Sequence, residues 1–201
     1  MNRRLTVRRN FLTCLGRYLG LAGLALLPDS SCAGTVTEPR VERKREMERK
    51  NARRETREAE QLLKGTPEQV FPLLCPVREF DWIDGWDCRV VYTDSGVAED
   101  NCIFETSYPN EGPPETWIVI RYEPNRLIEF IRVNRMRTIR YRIELKDNGN
   151  GTTSARWRQL ITALNEEGEA YLELVTQEKY GILIRNLERM INNYLETGEK
   201  L

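Results

Sequence analysis

Aromatic side chains are the residues of this sequence whose type best suits the wall of a small-molecule site. A tryptophan or tyrosine combines a large apolar ring with one polar atom, so it can give a pocket both shape and a hydrogen bond. Our candidate ligand contacts are four tryptophans and two tyrosines: Trp82, Trp86, Trp117, Trp157, Tyr141 and Tyr180. The alternative interpretation is that each ring belongs to an ordinary core.

Histidine is absent from all 201 residues. A Ser-His-Asp or Cys-His catalytic centre therefore cannot be built, and zinc sites with imidazole ligands are excluded. Any general acid or base must be a carboxyl, phenol, amine or thiol group whose pKa is shifted toward neutrality. No two of the five cysteines have C-x-x-C spacing. We therefore predict no cofactor and no metal site, and we assign no catalytic residue.

Two groups of charged residues each have a functional and a structural interpretation. The first surrounds Trp82 and Trp86 and contains Glu79, Asp81, Asp84 and Asp87. It can form a pocket mouth that binds a cation or supplies an acid, or it can be a solvated turn. The second is a run of Arg132, Arg135, Arg137, Arg140 and Arg142. It can attract an anionic group, or it can be the wet face of a sheet balanced by glutamates.

Six stretches after Trp86 alternate between apolar and polar residues, which is the pattern of β-strands. On the last of them, Ala155, Trp157 and Ile161 share one face, so Trp157 is predicted to point inward. Trp117 falls out of phase with its neighbours Ile118 and Ile120, so the pattern misassigns one of the two faces of this strand. Short turns between the six strands predict an antiparallel meander with one apolar face that needs a cover.

Helical patterns lie on either side of these strands. A first strand is predicted over residues 58–64, and Thr66 then caps a short helix that has Pro67 at its first position. A second short helix or turn follows around residues 79–83. Residues 169–195 predict one long helix with an apolar stripe. The stripe contains Leu172, Val175, Lys179, Leu183, Leu187, Met190 and Tyr194.

These elements predict an α+β helix-grip fold. A curved antiparallel sheet of about seven strands wraps around a long C-terminal helix, and two short helices follow the first strand. Five segments also resemble the START-like, or SRPBCC, superfamily, and within it a bacterial branch without assigned chemistry. They are FPLLCPVREFDWI at 71–83, GW at 85–86, DSGVAE at 94–99, RYE at 121–123 and YLETG at 194–198. The resemblance covers about residues 56–201.

The resemblance implies a cavity between sheet and helix, because members of this superfamily bind lipids, sterols, plant hormones or polyketides there. We therefore predict binding or carriage of a small hydrophobic molecule, lipid or polyketide-like, without catalysis. One alternative is an enzyme of the polyketide cyclase or dehydrase type that uses tyrosines and carboxylates in the cavity. Another alternative is a protein-interaction module, as in START-like co-chaperones.

The N-terminal region has a different composition from the rest. Residues 1–33 begin with a basic segment, continue with a short apolar stretch and end with small residues, which is the layout of an export signal. Residues 8–12, RRNFL, resemble the twin-arginine signal, so we predict export to the periplasm and no transmembrane segment in the mature protein. If translation starts at Met47, the protein is cytoplasmic instead. Residues 34–54 are predicted to be a charged linker or solvated helix, which places the START-like domain at 55–201.

Charge disfavours one class of partner. The chain has 31 basic and 31 acidic residues, but residues 65–201 hold 16 basic and 23 acidic ones. A domain that is seven charges negative is poorly suited to neutralise phosphates, so we predict no nucleic-acid binding.

Overall fold

The computed structural model describes residues 51–108 and 112–201. The predicted export signal over residues 1–33 lies outside the described residues, as does the predicted linker up to residue 50. Within the described part of the chain, no helix has the length and apolar character needed to cross a membrane.

Seven strands and four α-helices follow one another along the described chain. The strands are β1 (Arg54–Leu63), β2 (Cys88–Tyr92), β3 (Ile103–Thr106), β4 (Glu115–Glu123), β5 (Leu127–Val133), β6 (Arg137–Asp147) and β7 (Thr153–Ala163). The helices are α1 (Pro67–Val70), α2 (Pro76–Glu79), α3 (Glu166–Leu174) and α4 (Gln177–Thr197). A 3-10 turn, Phe71–Leu74, joins the two short helices.

All seven strands belong to one antiparallel sheet in the order β1-β7-β6-β5-β4-β3-β2. Strands β2 to β7 form a meander, and β1, which precedes them in the chain, pairs with β7 along its whole length. The sheet curves around α4, so the predicted helix-grip fold is confirmed. The tight β6–β7 connection depends on Gly149 and Gly151, whose φ angles of 73° and 79° are accessible to glycine at little cost.

A β-bulge in β4 explains why the direction of Trp117 could not be read from alternation. Trp117 and Val119 point into the core, whereas Ile120 is 41% exposed. The register against β5 shifts between Val119 and Arg121, which adds one residue to β4. The bulge brings Tyr122 back to the inner side, where its ring contacts Phe71. The apolar residues of β4 therefore change face partway along the strand.

The predicted single helix over residues 169–195 is two helices, so that prediction is wrong in this detail. Val175 leaves the helical conformation at φ −94° and ψ 73°. The Thr176 side chain then accepts a hydrogen bond from the Lys179 backbone N–H and starts α4 as a new N-cap. The predicted stripe is also shifted, because Tyr180 and Ile184 are buried in α4 while Leu183 is 47% exposed.

Side-chain amides hold α4 against the edge strand β1. Gln177 accepts a hydrogen bond from the Glu58 backbone N–H and donates one to the Glu58 carbonyl oxygen. Asn192 does the same between the Lys64 N–H and the Leu62 carbonyl oxygen. Because these bonds occupy backbone groups that an edge strand leaves open, they fix the helix over the sheet and protect that edge.

Candidate functional site

A cavity of about 220 Å³ lies between the inner face of the sheet, helix α4 and the segment that joins α2 to β2. The sheet contributes most of its aromatic wall: Phe104, Trp117, Phe130, Tyr141 and Trp157. Helix α4 contributes Leu183 and Leu187, and the α2–β2 segment contributes Ile83 and Trp86. The cavity is therefore mainly apolar, with the composition typical of small-molecule sites.

Four of the six predicted contact residues line this cavity, namely Trp86, Trp117, Tyr141 and Trp157. Trp82 and Tyr180 are not among the lining residues. Trp82 is 1% exposed, and its indole N–H donates to the Leu73 carbonyl oxygen at 2.9 Å. Tyr180 is buried on the sheet-facing side of α4. The structure thus separates wall residues from core residues, which the sequence pattern could not do.

The aromatic wall is a continuous series of ring contacts. Trp117 stacks on Phe104 with 5.2 Å between ring centroids and meets Phe130 edge-on at 5.5 Å. Tyr141 lies 5.9 Å from Trp117 and 5.7 Å from Trp157. Contacts of this kind stabilise the rings in fixed positions, so the wall is shaped before any ligand binds.

The indole N–H groups of the three lining tryptophans are engaged within the protein. Trp86 donates to the Pro76 carbonyl oxygen at 2.8 Å, and Trp117 donates to the Thr106 hydroxyl at 2.9 Å. Trp157 donates to the Gln61 side-chain oxygen at 2.7 Å. The tryptophans therefore provide shape, and polar recognition of a ligand falls to other residues.

Arg132 is a cavity residue that the sequence interpretation missed. It points inward from β5 and is 6% exposed, and its guanidinium lies 4.0 Å from the centre of the Trp117 ring. Glu115 accepts hydrogen bonds from its Nε, at 2.9 Å, and from its Nη2. The sequence contained a signal for its inward direction, because Arg132 shares its strand face with Ile128 and Phe130. The residue was instead grouped with its basic neighbours.

Arg137 completes this buried ionic cluster outside the cavity. Its Nη2 lies 2.8 Å from the other oxygen of Glu115, and its guanidinium packs 3.6 Å from the ring centre of Tyr171 on α3. Helix α3 can approach this closely because residue 168 is glycine. A Cβ atom at Gly168 would lie 2.1 Å from the Met136 carbonyl oxygen. The predicted wet face is correct for Arg140 and Arg142, which pair with Glu129 and Glu144, but wrong for Arg132 and Arg137.

Glu79 is the second polar residue of the wall that could act chemically. It is partly buried at the end of α2 and faces the cavity. Protein atoms crowd its carboxyl group, and this burial raises the pKa to about 8, although the nearby Arg132 acts in the opposite direction. Near neutral pH the Glu79 side chain is therefore mostly a neutral carboxylic acid.

The other members of the acidic group have different positions. Asp84 lines the cavity but is exposed. Asp81 forms an ion pair with Arg78 at 2.5 Å. Across the cavity, burial raises the pKa of the Tyr141 phenol, which interacts with the side chains of Tyr180 and Gln159. Among the described residues, no group of three cysteine or acidic side chains is placed to hold a metal ion.

Comparison with solved structures identifies relatives of the fold. The chain is similar to norcoclaurine synthase from Thalictrum flavum, solved as a point mutant with a transition-state analogue, at a TM-score of 0.57 and 12% identity over 75% of this chain and all of that one. A structure of the same enzyme with dopamine and hydroxybenzaldehyde has a TM-score of 0.55 and 14% identity to this chain. The match covers 73% of this chain and 89% of that one. An uncharacterized protein from Rhizobium leguminosarum has a TM-score of 0.52 and 15% identity, over 70% of this chain and 95% of that one.

No family model matches the sequence, and no curated protein matches it. The structural neighbours have the SRPBCC type of fold, and this chain shares it.

Proposed function

From the helix-grip fold of the START-like superfamily, we propose that this protein binds and carries a small hydrophobic molecule in the cavity between sheet and α4. The observation that carries the proposal is the aromatic wall of a 220 Å³ cavity whose shape is set by ring contacts within the protein. The norcoclaurine synthase structure with dopamine and hydroxybenzaldehyde is consistent with small aromatic ligands on this fold.

Cavity size favours one kind of hydrophobic ligand over another. Small-molecule sites commonly measure about 300–1,000 Å³, so a cavity of 220 Å³ lies below this range. A flat molecule of two fused aromatic rings suits such a space and can stack on Trp117 and Trp157. A long acyl chain would need more room, so we place compact aromatic or polyketide-like ligands ahead of lipids.

Native mass spectrometry of the purified full chain is the first test, because it can identify a molecule that co-purifies with the protein. A fluorescence titration with an apolar aromatic probe is the second. The probe should quench or shift tryptophan emission, and Trp157→Phe should remove much of that response. If neither a co-purified molecule nor a probe response is found, the proposal is wrong.

Trp82→Phe is the matched control for Trp157→Phe. Both indoles are buried and donate one hydrogen bond within the protein, but only Trp157 lines the cavity. Each substitution leaves one buried acceptor without its donor, so we expect each to lower the free energy of unfolding by about 1–3 kcal/mol. The ligand response should survive in Trp82→Phe. An equal loss of response in both variants would indicate general disruption of the core.

The second candidate function is an enzyme of the polyketide cyclase or dehydrase type. Glu79 favours it, because a carboxylic acid that is neutral near pH 7 can act as a general acid. Recovery of the co-purified molecule unchanged after prolonged incubation would favour carriage, and its conversion to a product would favour catalysis.

A further inference from the structure

We propose that the cavity selects aromatic molecules that carry a ketone group, and that the Glu79 carboxyl group donates a hydrogen bond to the ketone oxygen. This inference rests on the proposed function, because it names the ligand class of the same cavity. It makes Glu79 the residue that determines specificity within a mainly apolar wall.

The position of Glu79 supports this role. Glu79 stands on the α2 side of the cavity, and the aromatic wall of the sheet faces it. Within residues 51–108 and 112–201, no hydrogen bond or ion pair engages its carboxyl group, and its surroundings act on it through burial and the charge of Arg132. A polar group that is crowded by protein and faces a ligand space gains most when the ligand supplies its partner.

The protonation state of Glu79 decides which partner fits. The charged and titratable groups around it are Arg132 on β5, Tyr141 on β6, Asp84 after α2, Cys88 at the start of β2, and Tyr108 after β3. Burial outweighs the charge of Arg132 and raises the pKa of the carboxyl to about 8, so the group is mostly protonated at pH 7. A protonated carboxyl has an O–H to donate, and a ketone oxygen is an acceptor without charge.

Charged ligands fit this environment less well. The burial that disfavours the carboxylate form of Glu79 would equally disfavour a carboxylate on the ligand. A ligand ammonium group would require ionised Glu79 and would also meet the guanidinium of Arg132 in the same cavity wall. The lining tryptophans offer no competing donor, because their N–H groups are bound within the protein. The ligand group that best suits the protonated Glu79 carboxyl is therefore a neutral hydrogen-bond acceptor attached to an aromatic ring system.

The test uses the full-length protein and two probes of nearly the same shape, 2-acetonaphthone and 2-ethylnaphthalene. Only the first has a carbonyl oxygen. Dissociation constants are measured by tryptophan fluorescence at pH 7 and pH 9.5 for the natural chain and for Glu79→Gln and Glu79→Leu. Glutamine keeps a donor that does not ionise, whereas leucine has none.

At pH 7 we expect the natural chain and Glu79→Gln to bind 2-acetonaphthone about tenfold more tightly than Glu79→Leu does, the effect of about one hydrogen bond. At pH 9.5 the natural chain should lose about this advantage, because a carboxylate cannot donate, and Glu79→Gln should keep it. Binding of 2-ethylnaphthalene should change less than about twofold among the variants and between the two pH values.

Each contrary result has a distinct meaning. If 2-ethylnaphthalene binds and 2-acetonaphthone shows no dependence on Glu79 or pH, the ketone inference is wrong and the proposed function stands. A third probe, 2-naphthoate, carries a carboxylate on the same ring system. If it binds the natural chain more tightly than 2-acetonaphthone does at pH 7, the cavity selects anions and the inference is likewise wrong. If no probe binds any variant, the ketone inference is wrong, and if in addition no molecule co-purifies with the protein, the proposed function itself fails.

Discussion

Two glutamates that both interact with Arg132 show how differently a protein interior can treat the same side chain. Glu115 begins β4 beside the cavity and has Arg132 on one oxygen and Arg137 on the other. The Asn134 amide also donates to it at 3.2 Å. Glu79 ends the four-residue helix α2 and faces the ligand space. Only the more distant charge of Arg132 opposes the rise in its pKa that burial causes.

The contrast separates a structural acid from a candidate functional one. A buried carboxylate between two guanidinium groups is compensated, so its loss would leave charge stranded in the core. A crowded carboxyl without such compensation instead takes up a proton, and perturbed acids of this kind concentrate at functional sites. The region around Glu115 therefore positions Arg132 and the aromatic wall, while the region around Glu79 is available for chemistry with a ligand.

Removing the charge of Glu115 should have the largest effect. Glu115→Gln leaves two buried guanidinium groups without their shared carboxylate, so we expect the free energy of unfolding to fall by about 3–5 kcal/mol. Chemical denaturation at pH 7 measures this change. A loss under about 1 kcal/mol would show that the cluster is not held by its charges and would remove the distinction between the two acids.

Replacing Glu79 by glutamine should change the free energy of unfolding in the opposite direction, by an amount that depends on pH. The pKa of Glu79 is raised in the folded state, so the natural chain loses stability as pH rises from about 4.5 through about 8. Glu79→Gln cannot ionise and should be more stable than the natural chain by about 2–4 kcal/mol at pH 9, with the difference vanishing near pH 4.5.

Denaturation curves of both proteins across this pH range measure the Glu79 effect. The contributions of other titrating groups to the pH dependence cancel when the two proteins are compared. A difference that stays constant with pH would mean that Glu79 is not protonated in the folded protein.

The smallest effect is expected on the solvent-facing side of the sheet. Glu144 pairs with Arg142 at a partly exposed position, where water screens the charges. Glu144→Gln should therefore change the free energy of unfolding by less than about 1 kcal/mol under the conditions used for Glu115→Gln. A loss as large as that of Glu115→Gln would show that burial does not account for the contrast.

The architecture could be predicted because its signals are local. Alternation along β7 placed Trp157 on the inner face, and the structure agrees. The turn glycines and the Thr66-Pro67 helix start were likewise readable from neighbouring residues. Two errors came from local events that alternation and helical periodicity do not reveal. They are the bulge that reverses the face of β4 and the Thr176 cap that divides the C-terminal helix.

The site could be predicted only in part, because its chemistry depends on neighbours distant in sequence. The sequence interpretation named Glu79 within a group of four acids and left open whether the group forms a pocket mouth or a solvated turn. It named Arg132 only within a run of five arginines and did not separate it from the exposed members of that run. What separates Arg132 from Arg140 is the carboxylate of Glu115 on the neighbouring strand, 17 residues away.

By itself, the sequence of this protein determined the meander of β2 to β7, the inward face of β7 and the presence of a covering helix. It also excluded histidine chemistry. These properties follow from residue types and from the periods of strand and helix. Only the tertiary structure decided which aromatic rings form the cavity wall, which donors the protein already occupies and which buried acid has a compensating charge. Those properties depend on distances across the sheet and on burial, and both arise only when the chain is packed.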